Sequence, residues 1–417
     1  MLFRIVKFLV IILPVFLFAN SVSASSGVKA VQQKLSSLGY KPGAVDGIWG
    51  VNTENALKRF LNSKGLEFDG RLDSNEFELL ELKEPRCVVK SHRHIGDILA
   101  ASWSKHIICP AEVFVSDDLK YETKAQIETT LDAAAVEWGN YGPVEYWVLG
   151  ADKDAAVSLA TKYCQRRADR KNLTFKGCMA RETIFGTHNF MSYYEIGAAA
   201  LKTGRPSGSA GHNGGFEWGI HQFTSSLPLG FEDQLGIPGA EEQKTVLHEY
   251  FHAVQHAHVR TLNHEERDNL LGPVWFMEGA AEYMASATHY KLTRYNRLQT
   301  LRNGEWEFKF TQQMKRKFER SKELNRKLDC ISQMPKATYE NPCREFFYDG
   351  GAWAIAYLLH KTHQNVLLDG FYPNLDKLGW EGAFKSSFGL SSADFYQEFQ
   401  AFLKINPDKA LKLLPKY

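Results

Sequence analysis

The 417-residue sequence predicts an α+β fold in two unequal parts, a small three-helix unit followed by a larger, two-lobed mixed unit. Three observations carry this expectation. Residues 28–82 hold short apolar repeats at helical spacing, separated by loops rich in Gly and Asp. Beyond residue 86, strand-like runs at Ala111–Asp118, Val144–Leu149 and Trp218–Thr224 are interleaved with helical patterns such as Lys124–Trp138. The segment from 86 to 417 is long enough for a sizeable core, with two lobes around a cleft.

In chain order, the first segment carries Arg4 and Lys7, an apolar run from Phe8 to Ala19, and Val22-Ser23-Ala24 before Ser25. That order of charged, apolar and small residues is the pattern of a secretory signal peptide over residues 1–24. The apolar run is short for a bilayer span and no later run is longer, so no transmembrane anchor is expected after cleavage. The expected location is the periplasm, the cell wall or the extracellular space.

Within residues 28–82, Val31, Leu35 and Leu38 share a helical face that stops at Gly39-Tyr40. A loop with Pro42, Gly43, Asp46, Gly47 and Gly50 follows, and Thr53 opens a second helix with Ala56, Leu57 and Phe60 inward. Asp69–Asp73 leads into a shorter third turn and helix. The run V-Q-Q-K-L-x-x-L-G-Y … V-D-G-I-W-G-x-x-T-x-x-A-L-x-x-F is similar to the small peptidoglycan-binding domain found beside many wall-active enzymes. The resemblance implies peptidoglycan as a partner, with Asp46, Gly47, Trp49 and Gly50 shaping the binding face. Leu61 departs from the family, which commonly has Gln there. Glu81–Pro85 reads as the linker to the unit spanning 86–417.

Six cysteines follow the cleavage point: Cys87, Cys109, Cys164, Cys178, Cys330 and Cys343. An even count in an exported chain favours disulfides, and the separations suggest three local bridges between sequence neighbours. None of the six shows C-x-x-C spacing. A net charge of +2 gives no case for nucleic acid. The basic stretch Lys315–Lys322, mixed with Glu319, reads as the solvated face of a helix. The Gly204–Gly215 loop lacks the Lys-Ser/Thr of a phosphate loop and reads as a mobile loop near a cleft, with His212 and His221 at the surface.

His248-Glu249-Tyr250-Phe251-His252 carries the most chemistry. Val246, Leu247, Phe251, Ala253 and Val254 mark its helix as buried, and Glu241, Glu242 and Gln243 form a polar first turn. Positions i and i+4 lie on one helical face, so the two imidazoles converge, a pairing that suits Zn²⁺. Glu249 stands one residue along, where a carboxylate can take a proton from water. Two residues compete as third ligand. His258 has the H-E-x-x-H-x-x-G-x-x-H spacing, but Gln255 stands where the Gly of that pattern turns the chain, which leaves His258 and His256 as polar surface. Glu278 lies within Trp275–Tyr283, where Gly279, Ala280, Ala281 and Ala285 let this helix approach the first and Glu282 shares the Glu278 face. The polar segment Thr261–Leu271 connects the two as a loop or short helix.

H-E-x-x-H followed by W-x-x-E-G-x-A-E-Y resembles the gluzincin metallopeptidases, and among them is most similar to the catalytic half of the microbial collagenases and their relatives. The resemblance implies a zincin-like fold, Glu278 as third zinc ligand and Glu282 as the group that orients a ligand histidine. Phe346–Leu359 resembles the Tyr-x-x-Gly helix found downstream of the ligands in many gluzincins, which implies Tyr348 as oxyanion donor. Tyr283 and Tyr357 read as packing residues. The edge strand before the metal helix, which pairs with extended substrate in that family, would be Trp218–Thr224. The expectation is an exported zinc metalloendopeptidase acting on polypeptide substrates and held at the wall. A hydrolase of peptide or amide bonds in peptidoglycan is the alternative, and a non-catalytic wall-binding protein with a retained zincin fold is a third reading.

Overall fold

The computed structural model describes residues 26–45, 51–68, 74–82 and 111–416, apart from 142, 186, 205–207, 213–219, 227–238, 296 and 299–309. The expected signal peptide, the loop residues Asp46, Gly47, Trp49 and Gly50, and Cys87 and Cys109 lie outside the described residues.

The N-terminal unit contains α1 (Ser26–Ser37), α2 (Val51–Ser63) and α3 (Ser74–Leu79). Val31 and Leu35 meet Ala56, Leu57, Phe60, Phe77 and Leu80 in one small core, as their helical spacing demands. Leu61 belongs to this core and is buried. The departure at that position is therefore a packing residue.

The remainder is a helix-rich α+β assembly around a small sheet. Its elements are β1 (Glu112–Val115), α4 (Tyr121–Trp138), β2 (Val144–Val148), α5 (Lys153–Asp169), α6 (Phe175–Thr183), α7 (Phe190–Thr203), β3 (Ser209–His212) and β4 (His221–Ser226). The helices α8 (Gly239–Ala257), α9 (His264–Leu271), α10 (Val274–Arg294), α11 (Phe310–Leu328), α12 (Arg344–Lys361), α13 (Tyr372–Phe388) and α14 (Ser392–Phe402) follow. The sheet order is β1-β2-β4-β3, with the first three parallel and β3 an antiparallel edge that pairs Gly211 with Thr224. Two expectations shift here. The last strand is described from His221 to Ser226, with Trp218 and Gly219 outside the described residues, and part of the Gly204–Gly215 loop, rather than this strand, is the edge strand β3. The connecting segment Thr261–Leu271 resolves into α9, capped by the Asn263 side chain.

One large apolar core runs from α4 and one face of the sheet through α8 and α10 to α14. A smaller core on the other face joins Trp147 to Tyr163, Phe190 and Tyr193. In that second layer Glu145 of β2 is fully buried, held by Arg166 at 2.7 Å and Arg170 at 2.8 Å. Burial pushes the Glu145 carboxyl up, but the Arg170 and Arg166 guanidiniums outweigh it and hold it below the usual carboxylate range.

Helix α8 packs against α4 and β3 on one side and α10 on another. Gly279 of α10 faces α12: a Cβ there would lie 2.4 Å from the carbonyl carbon of Gly351. The small residues of α10 therefore include one that serves the α10–α12 contact rather than the α8–α10 contact expected from sequence. Disulfides join Cys164 to Cys178 and Cys330 to Cys343, two of the three neighbour pairings expected; Cys87–Cys109 is the one outside the described residues. Among the described residues no helix is long and apolar enough to cross a membrane.

Candidate metal centre

Three buried side chains converge between α8 and α10. His248, His252 and Glu278 each offer one ligand atom, and these atoms lie within 4.8 Å of one another. His248 Nε2 is 3.2 Å from His252 Nε2 and 3.2 Å from Glu278 Oε2, and the remaining side of the triangle is 3.6 Å. A tetrahedral zinc ion with bonds of about 2.0–2.1 Å places its ligand atoms about 3.3–3.4 Å apart. The triangle thus has the size of one face of that tetrahedron.

The hydrogen bonds behind the ligands fix which nitrogen faces inward. Met277 O can only accept, so the Gln255 amide nitrogen donates to it at 2.9 Å, and Gln255 Oε1 faces His252 Nδ1 at 2.8 Å. His252 therefore carries its proton on Nδ1. His248 Nδ1 faces Glu282 Oε2 at 3.2 Å and donates likewise. When both rings are neutral, both Nε2 lone pairs point at one spot, where neither can donate to the other. A cation at that spot resolves the conflict.

Charge points the same way. Glu278 is buried, and among the described residues its partners are the two imidazoles and the Tyr339 hydroxyl at 2.6 Å, with no Lys or Arg. Burial disfavours its charge, yet His252 and His248 hold it well below the usual carboxylate range. Burial opposes a charge on His248 too, but hydrogen bonds to Glu278 and Glu282 raise its pKa to about 10. The cluster attracts positive charge at the point where the ligand atoms meet. The residues present fit a divalent zinc ion by donor type, spacing and charge.

Glu282 is pinned from behind by Lys244 at 2.8 Å and Lys317 at 3.0 Å, and Lys317 also reaches Asp349 at 2.7 Å. This corrects the reading of Lys315–Lys322 as a solvated face, because Lys317 turns inward from α11. Glu249 is buried beside the triad and makes no hydrogen bond among the described residues. Burial raises its pKa, while His248 and His252 pull it down. Tyr348 on α12 lies parallel to the His248 ring, with centroids 6.3 Å apart and planes 10° apart. Burial and the Glu278 charge push its phenol far above the usual range, so it stays protonated and can donate. Tyr283 is buried against Phe310, and Tyr357 meets Glu398 on α14.

Other histidines sit apart from the triad, and the expected surface placement does not hold. His258 follows the end of α8, donates from Nδ1 to Val254 O at 2.7 Å and packs on Tyr141 and Tyr372. His212 and His221 are linked at 3.2 Å, and the His256 ring lies 4.4 Å from that of His212. His221 and His258 are buried, and His212 and His256, where β3 meets α8, are half-buried. Burial, then His256, pushes the His212 pKa well down, and burial brings His221 to about 3. Gln255, Tyr339, Lys244 and Lys317 were not identified from sequence. Gln255 carries a local signal, three residues beyond His252 on one helical face.

The family described as "Putative peptidoglycan binding domain" matches residues 24–80. The N-terminal unit is of the peptidoglycan-binding kind. Its match begins four residues before the boundary read from the sequence, and α1 likewise begins at Ser26. No curated protein and no solved structure matches the chain.

Proposed function

We propose that the chain is an exported zinc metalloendopeptidase, held at the cell wall by its N-terminal unit. The observation that carries this reading is the triangle of His248 Nε2, His252 Nε2 and Glu278 Oε2 beside a Glu249 carboxylate that makes no hydrogen bond among the described residues. In this reading the sheet with α4–α7 forms one lobe and α10–α14 the other, with α8 between them. When bound, zinc supplies a Lewis acid for the scissile carbonyl and lowers the pKa of a water. Glu249 takes the proton of that water and delivers it to the leaving amine. Its raised pKa suits a group that must hold a proton between those two steps. In this reading Tyr348, whose ring lies parallel to that of His248, donates to the developing oxyanion. Gln255 and Glu282 keep the two imidazoles in the ligating tautomer. The peptidoglycan-binding unit and the two disulfides support an exported, wall-associated location.

The same unit favours one second reading, hydrolysis of peptide or amide bonds in peptidoglycan itself. Digesting unfolded protein and purified sacculi in parallel separates the two. Release of peptides from protein alone supports the first, and release of muropeptides alone replaces it with the second. In either case Glu278→Ala should lower zinc content, and normal zinc content in that variant would reassign the third ligand.

A further inference from the structure

Tyr339 is placed the wrong way round for an ordinary tyrosine. Partly buried tyrosines usually shelter the ring and wet the hydroxyl. Here the residue is 42% exposed, while its hydroxyl points inward to Glu278 Oε1 at 2.6 Å. A ring so open adds little to the core, so the hydroxyl is what accounts for the placement. The bond is selective between the two carboxylate oxygens. Oε1 accepts from Tyr339, whereas Oε2 faces His248 and His252.

The segment that delivers Tyr339 is itself tied down. It lies between Cys330 and Cys343, which are bridged across a separation of 13. Both cysteines are buried, and Cys343 immediately precedes α12. Two residues before Tyr339, the Ala337 carbonyl accepts from the Val274 amide at 3.3 Å, at the start of the helix that carries Glu278. One short segment therefore holds both the beginning of α10 and the outer oxygen of its ligand residue. Closing it with a disulfide restricts where Tyr339 can reach.

We propose that Tyr339 is a positioning residue of the metal centre, and that the Cys330–Cys343 loop is the arm that keeps its hydroxyl on Glu278. The hydroxyl fixes the carboxylate plane, reserves Oε2 for the metal and keeps Oε1 out of the coordination sphere. This rests on the zinc reading of the triad.

The test uses the full chain freed of metal and reloaded with zinc or cobalt. Tyr339→Phe removes one hydroxyl and its hydrogen bond to the buried Glu278, so the metal-free protein should stay folded with a modestly lowered urea midpoint. Its zinc dissociation constant, measured against a chromogenic chelator, should rise about ten- to a hundredfold, the usual effect of losing a group that orients a ligand. In the cobalt-loaded protein the visible bands should weaken, because a released Oε1 lets Glu278 bind through both oxygens. The paired change Cys330→Ala with Cys343→Ala should weaken zinc similarly, and adding Tyr339→Phe to it should weaken zinc little further. Wild-type zinc affinity and an unchanged cobalt spectrum in Tyr339→Phe would overturn the role of Tyr339. Wild-type affinity in the cysteine pair would overturn that of the loop. A wild-type chain that binds neither ion would instead remove the metal reading beneath both.

Discussion

Replacing Gly279 with Ala tests whether helix packing sets the metal geometry. A Cβ at 279 would sit 2.4 Å from the Gly351 carbonyl carbon and 2.6 Å from its Cα and oxygen. Non-bonded carbons rest about 3.5–4.0 Å apart, so the two backbones must separate by about 1 Å. No rotamer change relieves this, since the obstacle is backbone. Gly351 is itself confined, because a Cβ there would meet Trp275 O at 2.5 Å. Overpacking of this kind costs about 1–3 kcal/mol, and a rigid neighbour places it near the upper end. Glu278 is the adjacent residue, and a shift of about 1 Å exceeds the ~0.2 Å tolerance of a metal bond several-fold. Urea denaturation of metal-free Gly279→Ala should show a loss of about 2–3 kcal/mol. Chelator competition should show weaker zinc binding. A variant with wild-type midpoint and wild-type zinc affinity would refute the argument that the Gly279–Gly351 contact positions Glu278.

Two further outcomes follow from the charged layers. Glu282→Gln keeps an oxygen for His248 Nδ1 but removes the charge that faces Lys244 and Lys317, so it should cost about 3 kcal/mol of stability, the lower figure for breaking a buried ion pair. Zinc affinity should fall by no more than about tenfold. A Glu282→Gln chain with the wild-type urea midpoint would contradict this. Glu145 has a folded pKa below its ordinary value of 4.5, so its contribution is full above that value and is lost as pH falls through the depressed folded pKa. Unfolding followed below pH 4.5 should therefore show a steep loss of stability that Glu145→Gln flattens, and equal acid slopes in the two proteins would remove Glu145 as the cause.

The parts of the site legible in sequence are those whose geometry is local. His248 and His252 are four apart on one helix, and the apolar residues around them give away its burial. The small domain was readable because Val31, Leu35, Ala56, Leu57 and Phe60 carry their core in their spacing. Glu278 came from a family resemblance, and the structure places its Oε2 against both imidazoles. Tyr339 and Lys317 escaped notice for a common reason. Their partners lie 61 and 35 positions away, and only the fold brings them together. A lysine in a basic run reads as solvated until Glu282 and Asp349 are seen to face it. The edge strand Ser209–His212 was missed because it is four residues long, contains Gly211, and is held by pairing with β4 rather than by any alternation of its own.

The most direct measurement compares the zinc-loaded chain with its Glu249→Gln variant, scoring zinc per chain and cleavage of an unfolded protein together. One zinc should bind in both, and turnover should be about 10²–10⁴-fold lower in the variant, since the amide can neither take nor return the proton. A wild-type chain without zinc, or a variant that cleaves at the wild-type rate, would contradict this.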